Sequence, residues 1–172
     1  IYGQNGKPKE LGIGFAIPEN PYLYENDSCP KDIFKNNELT NKIQTDKIHP
    51  FFYKPDYGLY HFICLEKNKK YFKILINDSE IAFIPNNGKY IFKTWETILM
   101  SASVERIDKQ NLIRKNLDGK DENIVKNNCL YETLKVLDVI EKNGEYWLEI
   151  SFAENCEPYP TENTEQKTGW IK

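Results

Sequence analysis

Cysteine and histidine are the residue types in this sequence that could act as nucleophile, base or metal ligand. The four cysteines form no Cys-x-x-Cys pair; they are Cys29, Cys64, Cys129 and Cys156. Structural zinc sites use closely spaced ligand pairs, and the two histidines, His49 and His61, are too few to complete one. The spacing therefore disfavours a metal site and indicates either buried thiols or one or two disulfides.

Neither histidine has the neighbours of a catalytic residue. His61 falls inside a predicted strand, residues 60–65, and His49 precedes Pro50 in a loop, so both are predicted to be structural. The acidic residues are scattered, and no glycine-rich phosphate loop is followed by a helix. The sequence predicts that the protein is not an enzyme and uses no cofactor. A small hydrolase is the least favoured alternative.

One cysteine pair has a geometric argument. Residues 132–140 and 145–152 are predicted strands joined through Asn143-Gly144, a pair that favours a two-residue hairpin because both turn residues need positive φ. Counting outward from the turn, Cys129 and Cys156 lie within about two positions of facing each other, a gap that one bulge would close. The spacing gives no such argument for Cys29 or Cys64.

Composition narrows the class of protein. A chain of 172 residues allows one ordinary domain or two small ones, and its net charge of −3 gives no electrostatic reason to expect nucleic acid as a partner. Aromatic residues make up 13% of the chain, which fits the short strands of a small barrel or sandwich. No apolar run approaches the roughly 20 residues of a transmembrane helix.

An internal repeat organises the chain. Residues 60–76 and 135–151 both contain Glu-Lys-Asn, two further residues, then Tyr and a second large aromatic residue, and each is predicted to form strand, turn and strand. We therefore predict an all-β fold of two tandem small barrels, residues 10–93 and 101–172, with long loops and little helix. Residues 31–50 are polar and are predicted to be an insertion loop in the first barrel. Residues 94–99 are predicted to form either a strand or a helical turn.

The second half resembles a bacterial SH3-like (SH3b) domain. Residues 111–119 match the family's opening strand and polar loop, residues 147–150 (Trp-Leu-Glu-Ile) match its middle motif, and residues 169–171 (Gly-Trp-Ile) match its closing motif. The first half resembles the same family only through the internal repeat. It is divergent, with Phe72 in place of Trp147 and Ala82-Phe83-Ile84 in place of the closing motif.

The resemblance implies a non-catalytic binding module of exported proteins. Its expected partners are peptide, peptidoglycan or another protein of the bacterial envelope, and the alternative function is a structural component of an envelope complex. A first residue other than Met favours a removed leader over a start inside the gene. The expected location is then the periplasm or the cell surface, with a lipid anchor if the leader ends at a cysteine.

Aromatic side chains are the candidate ligand contacts. Strand alternation puts Tyr146, Leu148, Ile150 and Phe152 on one face with Leu137 and Val139, the predicted core. Trp147 falls on the opposite, mixed face with Glu149 and Ser151. It either packs under the loop of residues 154–168 or against the other barrel, or it forms a stacking surface for a ligand. The further candidates are Tyr159, Tyr22 and Tyr24, whereas Trp170 is expected in the core.

The disulfide argument gives a first testable prediction. In protein purified from an oxidising compartment, mass spectrometry of a non-reduced digest should recover Cys129 and Cys156 in one linked peptide pair, because the hairpin brings their strands together. Free alkylation of both thiols in that material would contradict the pairing.

Overall fold

The computed structural model describes residues 11–19, 31–54, 57, 59–100, 102–108, 110–117, 134–153 and 164–172. These residues form mainly β-strands and a single short α-helix, which confirms the predicted all-β class. The chain divides into two compact units, Ile1–Trp95 and Glu96–Lys172. No helix in the described ranges is long and apolar enough to cross a membrane.

The first unit is built around one long strand. In chain order its described strands are β1 (Gly14–Pro18), β2 (Phe52–Lys54), β3 (Leu59–Lys67), β4 (Tyr71–Leu75), β5 (Ile81–Pro85) and β6 (Tyr90–Thr94). All pairs are antiparallel, in the order β5-β4-β3-β1-β6, and β2 pairs with the first residues of β3. Because alternate residues of a strand point to opposite faces, one face collects the core, including Ala16, Tyr60, Phe62, Phe72 and Ile74.

The predicted insertion loop contributes to this core. Ile33 and Ile48 are each 1% exposed and belong to the buried cluster, on either side of a 3-10 turn, Thr45–Lys47. Phe34 exchanges two backbone hydrogen bonds of 2.8 Å with Phe83 at the outer edge of β5. The segment is therefore a packed part of the unit, although its polar composition resembles that of a solvated loop.

The second unit holds the predicted hairpin. Helix α1 (Trp95–Leu99) crosses the boundary between the units, and the described strands that follow are β7 (Ser103–Val104), β8 (Leu134–Lys142), β9 (Glu145–Ala153) and β10 (Gln166–Ile171). They form an antiparallel sheet in the order β10-β9-β8-β7. Lys142 pairs with Glu145 across a turn in which Asn143 and Gly144 have φ of 57° and 76°. The predicted two-residue turn is confirmed.

The predicted core face of β9 is correct only in part. Leu148, Ile150 and Phe152 lie in the buried cluster of this unit, and Val139 packs against it. Tyr146 and Leu137, however, are 40% and 37% exposed. The register of β8 shifts between Val136 and Asp138, so that Leu137 is the extra residue of a bulge, while Tyr146 lies near the end of the hairpin, beyond the cluster.

Neither sheet closes into a barrel in the described part of the chain, where each strand order has two separate ends.

Of the four cysteines, the structure describes one. Cys64 is a buried free thiol of β3. The predicted partners Cys129 and Cys156, like Cys29, lie outside the described residues.

A short segment around Arg114 extends the second sheet at β10. Arg114 N donates to Trp170 O at 2.8 Å, and Trp170 N donates to Arg114 O at 2.6 Å. This pairing carries the preceding Ile113 into the core, where it lies directly against Gly169. A Cβ atom at residue 169 would clash with Ile113 Cγ2 and would lie 3.0 Å from Arg114 O. The glycine of the closing motif is therefore required by close packing.

Gly169→Ala should destabilise the second unit by about 1–3 kcal/mol, because the added methyl group overpacks a site with no space for it. The free energy of unfolding from urea titration, followed by circular dichroism, measures the effect. Thr168→Ala, at the exposed neighbouring position, is the matched control and should stay within about 0.5 kcal/mol of the parent protein. Equal stability of the two variants would contradict the packing argument.

Candidate functional site

The face of the second sheet that points away from its core carries the charged and aromatic side chains. In β9 this face receives Glu145, Trp147 and Glu149. The register places Trp170 opposite Glu149, and Arg114 opposite Trp170. Ile171 pairs with Leu148, so the next residue, Lys172, follows opposite Trp147. We call these six residues the Trp170 face.

Trp147 lies beneath two cations. Its side chain is on the predicted face, opposite Ile140, but the residue is only 5% exposed. The guanidinium carbon of Arg114 lies 5.6 Å from the ring centroid, and Lys172 Nζ lies 5.3 Å from it. Such contacts are attractive because the faces of an aromatic ring are electron-rich. The side chains of Arg114 and Lys172 therefore occupy positions beside the ring that a ligand would otherwise take.

Both tryptophans of the second unit lie on the face opposite the core. Trp147 is buried, so in this conformation its ring is not an open surface, and its predicted role as a ligand contact stays a prediction. Trp170 was expected in the core, yet Ile171 is the closing-strand residue in the buried cluster. Trp170 lies on the opposite face and is partly exposed. The aromatic surface that a ligand can reach on this face is therefore that of Trp170.

The charges of the Trp170 face are unequally paired. Lys172 Nζ lies 2.7 Å from Glu145 Oε2. Arg114 donates from Nη1 to the backbone oxygen of Leu112 at 3.0 Å, while its buried Nε has no hydrogen-bond acceptor in the described part of the chain. Within the same ranges, neither Arg114 nor Glu149 has an ion-pair partner. Among the described residues, the face therefore holds one arginine and one glutamate that have no ion-pair partner.

The other predicted ligand contacts cannot be placed on this face. Tyr22, Tyr24 and Tyr159 lie outside the described residues. Of the four predicted contacts, the structure thus positions Trp147 alone. The sequence reasoning missed Arg114 and Glu149 as candidate contacts. The sequence analysis names Arg114 only as part of the opening motif, and its position beside Trp170 depends on a pairing between distant segments of the chain.

The first unit has an aromatic surface that the sequence analysis did not predict. Phe15 packs against Trp95, His61 and Phe51, with ring centroids 4.7, 5.5 and 5.7 Å away. Phe52 lies 5.0 Å from His61, again between ring centroids. These five residues, the Phe15 cluster, lie on the face of the sheet opposite the core, and all except Phe15 are partly exposed. No sequence motif connects them, because they come from three strands, a loop and a helix.

The titratable groups of the first unit fit structural roles. Burial, helped by the charge of Lys93, lowers the pKa of His61, so the imidazole stays neutral at pH 7. Burial also raises the pKa of Cys64 to about 11, which keeps the thiol protonated and unreactive at neutral pH. In the described residues no group of three His, Cys, Asp or Glu side chains could hold a metal ion.

Comparison with known proteins adds no relative: no protein-family model matches the chain, and no curated protein or solved structure is significantly similar to it.

The burial of Trp147 changes what its removal should do. Trp147→Ala should lower the free energy of unfolding by about 3–5 kcal/mol, as much as Leu148→Ala, because both side chains lose buried contacts. Urea unfolding followed by circular dichroism compares them, with Ser151→Ala as the control on the same face of β9. A loss below about 1 kcal/mol for Trp147→Ala would show that the ring contributes little to packing and would restore it as a direct ligand contact.

Proposed function

We propose that this protein is a non-catalytic binding module of the bacterial cell envelope, with an SH3-like second unit, that recognises peptide or cell-wall material. An exported location, in the periplasm or at the cell surface, belongs to the same proposal. Both follow from the resemblance of residues 111–119, 147–150 and 169–171 to the SH3b family.

The observation that carries the proposal is the meeting of those three motifs in one sheet. The opening motif pairs with the closing motif through Arg114 and Trp170, and the closing strand pairs with the middle motif through Trp170 and Glu149. Gly169 admits the side chain of Ile113 to the core. Motifs that matched by chance would have no reason to be adjacent in space, so their contact supports the resemblance.

The Trp170 face supplies a surface suited to such a ligand. Trp170 offers a partly exposed ring, and Arg114 and Glu149 offer unpaired charges beside it. Aromatic rings flanked by polar groups are common anchors in peptide recognition. Trp147 has a supporting part in this arrangement, because its ring holds the guanidinium of Arg114 in place.

The Phe15 cluster favours a second candidate function, a structural component that binds another envelope protein. Four partly exposed rings in one patch are more typical of a protein interface than of isolated surface residues. In that case the partner is a folded protein surface and not a cell-wall polymer.

Retention on purified, insoluble peptidoglycan tests the proposal. The parent protein should sediment with the polymer, and Trp170→Ala should weaken binding by about 1–3 kcal/mol, as expected when an interface anchor is truncated. Tyr146→Ala removes an exposed aromatic residue on the opposite face of the same sheet and is the matched control. It should bind like the parent protein.

Two results would count against the proposal. Absence of retention would exclude the cell-wall ligand, and equal weakening by Tyr146→Ala would show that the Trp170 face is not the binding surface. If Phe52→Ala, in the Phe15 cluster, abolishes capture of a specific envelope protein while peptidoglycan is never retained, the second candidate function is the correct one.

A further inference from the structure

An acidic residue, a tryptophan and a basic residue lie side by side across the strands of the Trp170 face. Glu149 of β9 pairs with Trp170 of β10, and Trp170 pairs with Arg114. Directly paired residues in a sheet point to the same face, so the three side chains are neighbours in this order. In the pairing order, Trp170 therefore stands between an acidic and a basic residue.

These two charges differ from the other charged pair on the face. Lys172 and Glu145 neutralise each other at 2.7 Å, whereas Arg114 and Glu149 have no ion pair in the described residues. Trp170 separates the strand positions of the two groups. An unpaired guanidinium and an unpaired carboxylate beside one ring are complementary to a ligand that carries both charges.

The spacing of the row indicates the size of that ligand. Two steps between neighbouring strands separate the backbone positions of Glu149 and Arg114 by on the order of 10 Å. Three residues of extended peptide span about 10 Å. The Arg114 side chain extends from this position to the Trp147 ring on β9, the strand that carries Glu149. A peptide segment of about three residues or fewer therefore fits the row beside Trp170.

We propose that the Trp170 face binds a short peptide segment with a free carboxylate and a free amine. Arg114 takes the carboxylate and Glu149 takes the amine. This inference rests on the proposed function and specifies its ligand class.

The packing of Arg114 suits a carboxylate in particular. Trp147 lies against the guanidinium at 5.6 Å, and Nη1 is fixed by the backbone oxygen of Leu112. A planar guanidinium held in this way can offer its remaining N–H groups to a carboxylate in a two-pronged pair, which a lysine ammonium cannot do. The side chain is ordered before the ligand arrives, so less conformational entropy is lost on binding.

Titration with trialanine tests the inference, with the indole N–H resonance of Trp170 as the reporter. The three probes are trialanine with both ends free, its carboxyl amide and its N-acetyl derivative. For the parent protein we expect the free peptide to bind at least tenfold more tightly than either blocked form. Similar binding of all three probes, or no shift with any of them, would overturn the inference.

Two variants test which residue binds which charged end of the peptide. Arg114→Gln should bind the free peptide and the amide equally, while still rejecting the acetylated form; Glu149→Gln should show the opposite pattern. Arg114→Lys retains the charge without the planar fork and should keep only part of the preference for a free carboxylate. Thr168→Ala, on the same face, should discriminate like the parent protein. A dispersed amide spectrum for each variant establishes that it is folded.

The outcomes separate this inference from the proposed function. Retention on peptidoglycan that depends on Trp170, without discrimination among the three probes, would leave the proposed function standing and refute the inference. Discrimination among the probes without retention on peptidoglycan would support the charge assignment and refute a cell-wall ligand.

Discussion

The second unit depends on one pair of backbone hydrogen bonds, those between Arg114 and Trp170 at the edge of β10. Because neighbouring residues alternate between faces, this pairing sends Ile113 into the core and Arg114 to the opposite face. The same constraint leaves no room for a side chain at Gly169. One interaction thus joins the opening and closing motifs, completes the core and positions the unpaired base.

The two tryptophans of the Trp170 face have different roles. One stabilises the fold and the other can contact a ligand. Trp147 is buried under Arg114 and Lys172, so its large apolar area contributes to stability. Trp170 keeps part of its surface exposed, so it can still gain contacts with a ligand. A ring that is already covered has little further area to bury. This is why burial, and not residue type, decides which of them can serve as a binding surface.

The sequence predicts the features of this fold that depend on local chemistry. Asn143-Gly144 predicts its turn because few residues tolerate positive φ, and alternation predicts the buried face of β9. It does not predict the bulge that exposes Leu137, since an extra residue in one strand depends on the pairing with its partner. Nor does it predict the burial of Ile33 in a polar segment or the Phe15 cluster, because both arise from contacts between distant parts of the chain.

The internal repeat does not produce two equivalent surfaces. Lys67 pairs with Phe72 in the first unit, whereas the corresponding Lys142 pairs with Glu145 in the second. Phe72, which aligns with Trp147 in the repeat, is consequently a residue of the first core, while Trp147 lies on the face opposite the second core. A change of register moves side chains between faces, so similar sequences give different surfaces. The first unit accordingly exposes aromatic rings from other segments. At Phe72, the position that aligns with Trp147, the ring is buried in the core and Lys67 Nζ lies 5.9 Å from its centroid.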